Sequence, residues 1–139
     1  MSMVAWLCKE KVMKRRVVVT GLGALTPIGN NVEDSWQGIL NHQSGIDFIQ
    51  KFDTTHMKVK VAGELKNFEA TDYLDKKDIR KMDPFIQYGL IASHEAIKDA
   101  KLDVETIDHD RFGVVVSSGI GGLGSIEENH NRALKKGFD

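Results

Sequence analysis

The chain has 139 residues, 41% hydrophobic and 28% charged, with 13 glycines against two prolines; this excludes collagen-like, mucin-like and wholly disordered polymers and fits one folded domain. Nineteen Lys and Arg against 20 Asp and Glu give a formal charge of -1, a poor match to a globally basic nucleic-acid binder, and one Cys excludes an internal disulfide framework or a thiolate zinc cluster. The lone thiol points to a reducing, cytoplasmic setting, and the apolar stretches fall short of the roughly 20 residues that cross a bilayer.

Residues 1–13 carry neither a turn signal nor a sustained periodicity and read as a leader, with the domain beginning at the basic run Lys14, Arg15 and Arg16. Val17 to Thr20 is a β-branched run closed by Gly21-Leu22-Gly23, the pattern of a strand buried on both faces that ends in a glycine turn. Asn31 precedes Val32, Trp36, Ile39 and Leu40, whose spacing predicts a short amphipathic helix capped at Asn31. Lys58 to Val61 alternates with period two, as a half-exposed strand does, before Gly63 interrupts it. Asp83-Pro84 is a helix start, because Asp is a favourable N-cap and Pro at the first helical position loses no intrahelical hydrogen bond. The helix expected over Phe85 to Ala100 has a broad apolar face and leaves His94, Glu95, Lys98 and Asp99 for a narrow wet side. Phe112 to Ser117 reads as a second buried strand, running into the glycine-rich turn Ser118 to Gly124, and Ser125 to Lys135 as a helix stopped by Gly137. Two units of strand, glycine turn and helix give an α/β architecture, but two central strands are few for a sheet covered on both faces. The segment 14–139 therefore reads as an incomplete domain.

Both glycine turns invite an anion-binding reading, since a helix amino end can hold a phosphate. Gly21-x-Gly23 lacks the third glycine, whereas Gly119-x-Gly121-x-x-Gly124 fits a dinucleotide fingerprint without the acidic residue about 20 positions on. Neither turn carries the Gly-Lys-Ser/Thr ending of a nucleoside triphosphate loop. His94-Glu95 lacks a second imidazole at Lys98, and His42, His56, His109 and His130 stand alone, so no metal is expected. Cys8 lies in the leader, away from any feature that would lower its pKa, and Glu127-Glu128 point about 100 degrees apart on a helix and do not form a dyad. Lys76, Lys77, Arg80 and Lys81 form a basic group interrupted by Asp75 and Asp78; it suits either a polyanionic partner or an ordinary solvated face, and it lacks the aromatics of a single-strand nucleic-acid binder.

Together, VVVTGLGALTPIG at Val17 to Gly29, Trp36, Gly45-Ile46, RKMDPFIQYG at Arg80 to Gly89, HEAIKDAKL at His94 to Leu102 and FGVVVSSGIGGLGSIEE at Phe112 to Glu128 resemble the amino-terminal part of the β-ketoacyl-[acyl-carrier-protein] synthases of the synthase II group. The resemblance covers Lys14 to Asp139 and implies a thiolase-like, layered α-β-α-β-α fold, a homodimer, no cofactor, and an acyltransferase of fatty-acid synthesis. Such enzymes load an acyl group from acyl-carrier protein onto a cysteine and extend it by decarboxylative condensation with malonyl-carrier protein, assisted by two histidines. None of those three catalytic residues has a counterpart here, so the fragment itself is expected to be inactive. The resemblance assigns Ile120 to the acyl pocket, Lys77, Arg80 and Lys81 to carrier-protein docking, and structural turns to Gly21, Gly23, Gly119, Gly121 and Gly122. A noncatalytic docking or assembly module and a dinucleotide-dependent oxidoreductase are the competing classes.

Overall fold

The computed structural model describes residues 15–137; residues 1–14, which include Cys8 and the expected domain start at Lys14, and residues 138–139 lie outside them. Helix α1 spans Val32–Leu40, α2 is the single turn Lys76–Ile79, α3 spans Pro84–Asp99 and α4 spans Leu123–Lys136, with short 3-10 turns at Ala70–Asp72 and His109–Arg111. The two strands β1, Ile46–Phe48, and β2, Val61–Gly63, pair antiparallel with Ile46 opposite Gly63 and Phe48 opposite Val61. Gly63 thus ends the strand from inside rather than interrupting it, and the pair is extended by the Ile49 N–H donating to the Lys60 carbonyl at 3.0 Å. Lys66 bonds the Asp47 carboxylate at 3.0 Å and, with the Phe48 N–H, holds that carboxyl below its ordinary range.

Helix α1 starts as its sequence requires. The Asn31 side chain accepts from the Asp34 N–H at 2.7 Å, and Glu33 and Asp34 place negative charge at the helix amino end, where it is favoured. The buried face differs from the expected apolar stripe. Ser35 and Gly38 face inward while Trp36, Ile39 and Leu40 stay about half exposed. The reason is a tight turn closed by Thr26 and Gly29 in mutual backbone hydrogen bonds; the Thr26 and Ser35 hydroxyls meet at 2.9 Å, and Ile28 lies over Gly38. Only small residues on α1 admit so close a chain.

Helix α3 has Pro at its first position, where the missing N–H costs no intrahelical hydrogen bond. Ile91, 5% exposed, is the buried hydrophobic of the described core, beside an aromatic cluster in which Phe68 stacks on Tyr73 at 5.7 Å and meets Tyr88 edge-on at 5.5 Å. Gly21 and Gly23 press on the main chain of α3 at Ala92, Ala96 and Ala100, so closely that a Cβ on either would collide with a helix carbonyl. On the same stripe, Val116 lies over Gly89.

The two segments expected as buried strands are neither paired nor buried among the described residues. Val17–Thr20 and Phe112–Ser117 form no ladder among the described residues, and Val17 and Val115 are 91% and 94% exposed. Their direction nevertheless follows the sequence pattern. From Gly21 to Gly23 the chain moves from Ala100 and Ala96 to Ala92, and from Val116 to Gly122 it moves from Gly89 past Phe85 to Asp83, so both segments run toward the amino end of α3 and parallel to each other. Side-chain composition encodes the burial a strand would have; the ladder itself depends on a neighbouring main chain, which these segments lack among the described residues.

Candidate functional site

The basic group sits on α2 and the turn that leads into α3. Two backbone bonds, Lys81 N–H to the Asp78 carbonyl at 2.9 Å and Met82 N–H to the Ile79 carbonyl at 3.2 Å, fold this turn. Gln87, 8% exposed, donates its amide to the carbonyls of Met82 at 2.8 Å and Ile79 at 3.3 Å, which ties the segment to α3 and satisfies carbonyls at the end of α2. Lys76, Lys77, Arg80 and Lys81 all project into solvent. Lys81 lies 3.9 Å from the Asp78 carboxylate, a surface pair of little stabilising value, while Lys77 and Arg80 form no ion pair among the described residues. The structure therefore brings the three docking candidates onto one short, anchored, exposed segment.

The second glycine turn approaches the start of the same helix. Gly121 takes φ +92, a left-handed conformation that glycine adopts without strain, and its N–H donates to the Ser118 hydroxyl at 3.0 Å. A Cβ at Gly121 would stand 3.5 Å from the Phe85 ring, and one at Gly122 would collide with the Asp83 carboxylate, whereas Gly119 faces open space. Ser125, in the first turn of α4, donates its hydroxyl to Asp83. Ile120 is at the crest of this turn, 73% exposed. Beside the turn lies an apolar cavity of about 360 Å³ bounded by Phe85, Ile86, Gly89, Leu90 and Val116; Ile120 is not on its wall.

Three carboxylates escaped the sequence reading. Glu95, expected on the wet side of α3, accepts from the Ala24 N–H at 2.9 Å and from the Val32 N–H at 2.8 Å, and Asp99 one turn on accepts from the Leu22 N–H at 2.9 Å. Their i,i+4 spacing was visible, but the backbone donors they serve lie more than 60 residues away in the chain. Asp83 was legible as a helix start, and it does open α3, but its side chain makes no capping bond there and turns to α4 instead. That carboxylate occupies the amino end of α4, where the dinucleotide reading needs a pyrophosphate, and two anions at one helix end repel. All five histidines are exposed, and among the described residues no group of His, Cys, Asp or Glu is arranged to hold a metal ion. Glu127 and Glu128 are exposed, with Glu128 paired to Arg132 at 3.2 Å. No helix among the described residues is long and apolar enough to cross a membrane.

A long helix flanked by two parallel segments, each ending in a glycine turn at its surface, is the local architecture of an α/β thiolase-like ketosynthase fold. Solved structures agree: a ketosynthase bound to a hexaketide, in complex with its type II polyketide acyl-carrier protein, matches with a TM-score of 0.70 and 29% identity over 90% of this chain and 33% of that one. The ishigamide ketosynthase/chain length factor matches with a TM-score of 0.69 and 29% identity over 88% of this chain and 30% of its own. Residues 14–137 match the family described as beta-ketoacyl synthase, N-terminal domain, and the chain belongs to that family. Among similar proteins, 3-oxoacyl-[acyl-carrier-protein] synthase 2 of Vibrio harveyi is 50% identical over 124 residues, 89% of this chain and 30% of that protein. The protein of the same name from Staphylococcus aureus (strain COL) is 49% identical over 123 residues, 88% of this chain and 30% of its own. The chain thus spans about 30% of the length of these curated relatives.

Proposed function

We propose that residues 14–139 are the incomplete amino-terminal ketosynthase domain of a fatty-acid condensing enzyme, which joins an acyl thioester to malonyl-acyl-carrier protein, releases carbon dioxide and yields 3-oxoacyl-acyl-carrier protein. The observation that carries this reading is the 50% identity, over 124 residues, to a protein named for that synthase activity. The matched residues 14–137 contain no cysteine and so supply no counterpart of the thiol nucleophile that the reaction needs, and the 139-residue chain by itself is expected to be inactive. What these residues contribute is recognition. Lys77, Arg80 and Lys81 offer an exposed cationic edge to an acidic carrier protein, chiefly raising encounter rate and setting orientation. Ile120 shapes the acyl pocket once the remaining walls are in place, and Gly21, Gly23, Gly121 and Gly122 let chain segments approach α3 and Asp83 where a side chain would not fit. The complete enzyme is a cytoplasmic homodimer in this reading.

Titration of the chain with acyl-carrier protein tests the docking half. Neutralising Lys77, Arg80 and Lys81 together to Gln is expected to weaken binding at least about tenfold, and unchanged affinity would reject the patch. Exposure of this segment on a chain without the catalytic thiol favours, as a second reading, a noncatalytic docking module; condensation by a longer protein carrying this segment separates the two.

A further inference from the structure

We infer that Asp83 is the positioning residue of the acyl-pocket turn: its carboxylate holds the end of the turn at Gly122 and Ser125, and through it Ile120, in fixed relation to the basic segment that leads into α3. The inference rests on the reading of Ile120 and the basic segment given above, and deepens it. Asp83 opens α3 with its main chain, since its carbonyl accepts from Ile86 N–H at 3.0 Å and Gln87 N–H at 3.2 Å. Its side chain makes no bond to its own helix and is therefore free for another task. That task is visible in two contacts of the carboxylate. Ser125 donates to Asp83, and the Gly122 main chain lies against the carboxylate with no room for a Cβ; one residue earlier, Gly121 faces the ring of Phe85, two residues further along α3. A negative group placed between the amino ends of α3 and α4 is favoured by both helix dipoles, so one carboxylate fastens two elements.

The other end of this connection is equally firm. Gln87 binds the Met82 and Ile79 carbonyls from inside, so the segment carrying Lys77, Arg80 and Lys81 moves with the first turn of α3. Asp83 stands at that turn and reaches the glycine turn directly. A carrier protein seated on the basic edge would therefore meet a pocket turn whose position Asp83 has already set.

Hydrogen-exchange mass spectrometry on the intact chain tests this. Asp83→Ala and Ser125→Ala are each expected to speed exchange across 118–126 by roughly tenfold, the factor set by losing one charge-assisted hydrogen bond, while exchange along 87–99 changes by less than about twofold. Asp83→Asn keeps an acceptor for the Ser125 hydroxyl and is expected to restore most of the protection. Unchanged exchange over 118–126, or equal acceleration along α3, would overturn the inference, the latter by reducing Asp83 to a cap. Ser125→Ala leaves α3 untouched and carries the test if Asp83→Ala unfolds. Carrier-protein titration of the same variants keeps the two readings apart. Asp83→Ala is expected to bind as wild type, and a loss of affinity would move Asp83 into the docking surface and refute its role as a positioning residue. Failure of the Lys77, Arg80 and Lys81 substitutions would instead count against docking and leave the exchange result standing.

Discussion

Removing the Glu95 carboxylate should detach both the first glycine turn and the start of α1 from α3. Its two oxygens accept from Ala24 N–H at 2.9 Å and Val32 N–H at 2.8 Å, and Val32 is the first residue of α1, so its N–H has no partner within that helix. A hydrogen bond to a charged group contributes about 1.5–3 kcal/mol when buried. Both bonds here are part-buried, so water recovers some of each, and the lost charge at the α1 amino end adds roughly 0.3–1 kcal/mol. Glu95→Ala is therefore expected to destabilise the chain by about 2–4 kcal/mol, a fall in Tm on the order of 10 °C for a domain of this size. Glu95→Gln keeps the shape but turns an NH2 toward one of the two N–H donors, and should recover less than half of the loss. Urea unfolding gives the free energies, and amide exchange at Ala24 and Val32 localises the effect. His94→Ala, an exposed neighbour, is the control and should stay within about 0.5 kcal/mol. A Glu95→Ala chain within that same margin, with Ala24 and Val32 still protected, would refute the bridging role.

Two glycines should respond oppositely to alanine. Gly23→Ala drives a Cβ into the Ala92 carbonyl and should cost about 1–3 kcal/mol or more, whereas Gly124→Ala adds a methyl in open space within α4 and should gain up to about 1 kcal/mol; thermal denaturation showing equal shifts would contradict the packing described. The Asp47 carboxyl titrates below its ordinary value because Lys66 bonds its charged form, followed by the Phe48 amide. Its folded-state value is depressed, so its contribution to the β1–β2 pair is present above the ordinary carboxyl range and lost as pH falls through the depressed value. Carboxyl-detected NMR should show this, with Lys66→Met raising the midpoint; no change on that substitution would remove Lys66 as the cause. Carrier-protein affinity should fall as salt is raised from low ionic strength to about 0.15 M, and a salt-independent affinity would argue against charge-directed docking.

Local signals were legible wherever a residue acts within a few positions of itself. Asn31 caps α1, Pro84 opens α3 and Gly137, at φ +96, ends α4, because capping, the missing proline N–H and the freedom of glycine are properties of short stretches of chain. The exposed basic segment was legible for the same reason: alternating lysines and aspartates beside a helix start have nowhere to be buried. The alternation over Lys58 to Val61 pointed to a strand, but the paired strand is Val61–Gly63 and shares only Val61 with it, because the ladder is set by the partner strand Ile46–Phe48 and not by the alternation.

Tertiary structure decided which side chains reach across. The sequence by itself determined α1, α3 and α4, the two glycine turns and the family resemblance carried by segments from Val17 to Glu128, but not the single turn α2. It could not say that the inward face of α1 is Ser35 and Gly38, since that choice was made by the Thr26 to Gly29 turn lying close upon it. Nor could it say that Glu95 and Asp99 serve backbone donors near the first glycine turn, or that Asp83 serves α4 rather than α3, because each carboxylate is claimed by a group distant in sequence. The valine runs show the same division: their composition is local and was read directly, but pairing into a sheet needs a neighbouring main chain, and the direction of each run along α3 is all that contacts among the described residues impose.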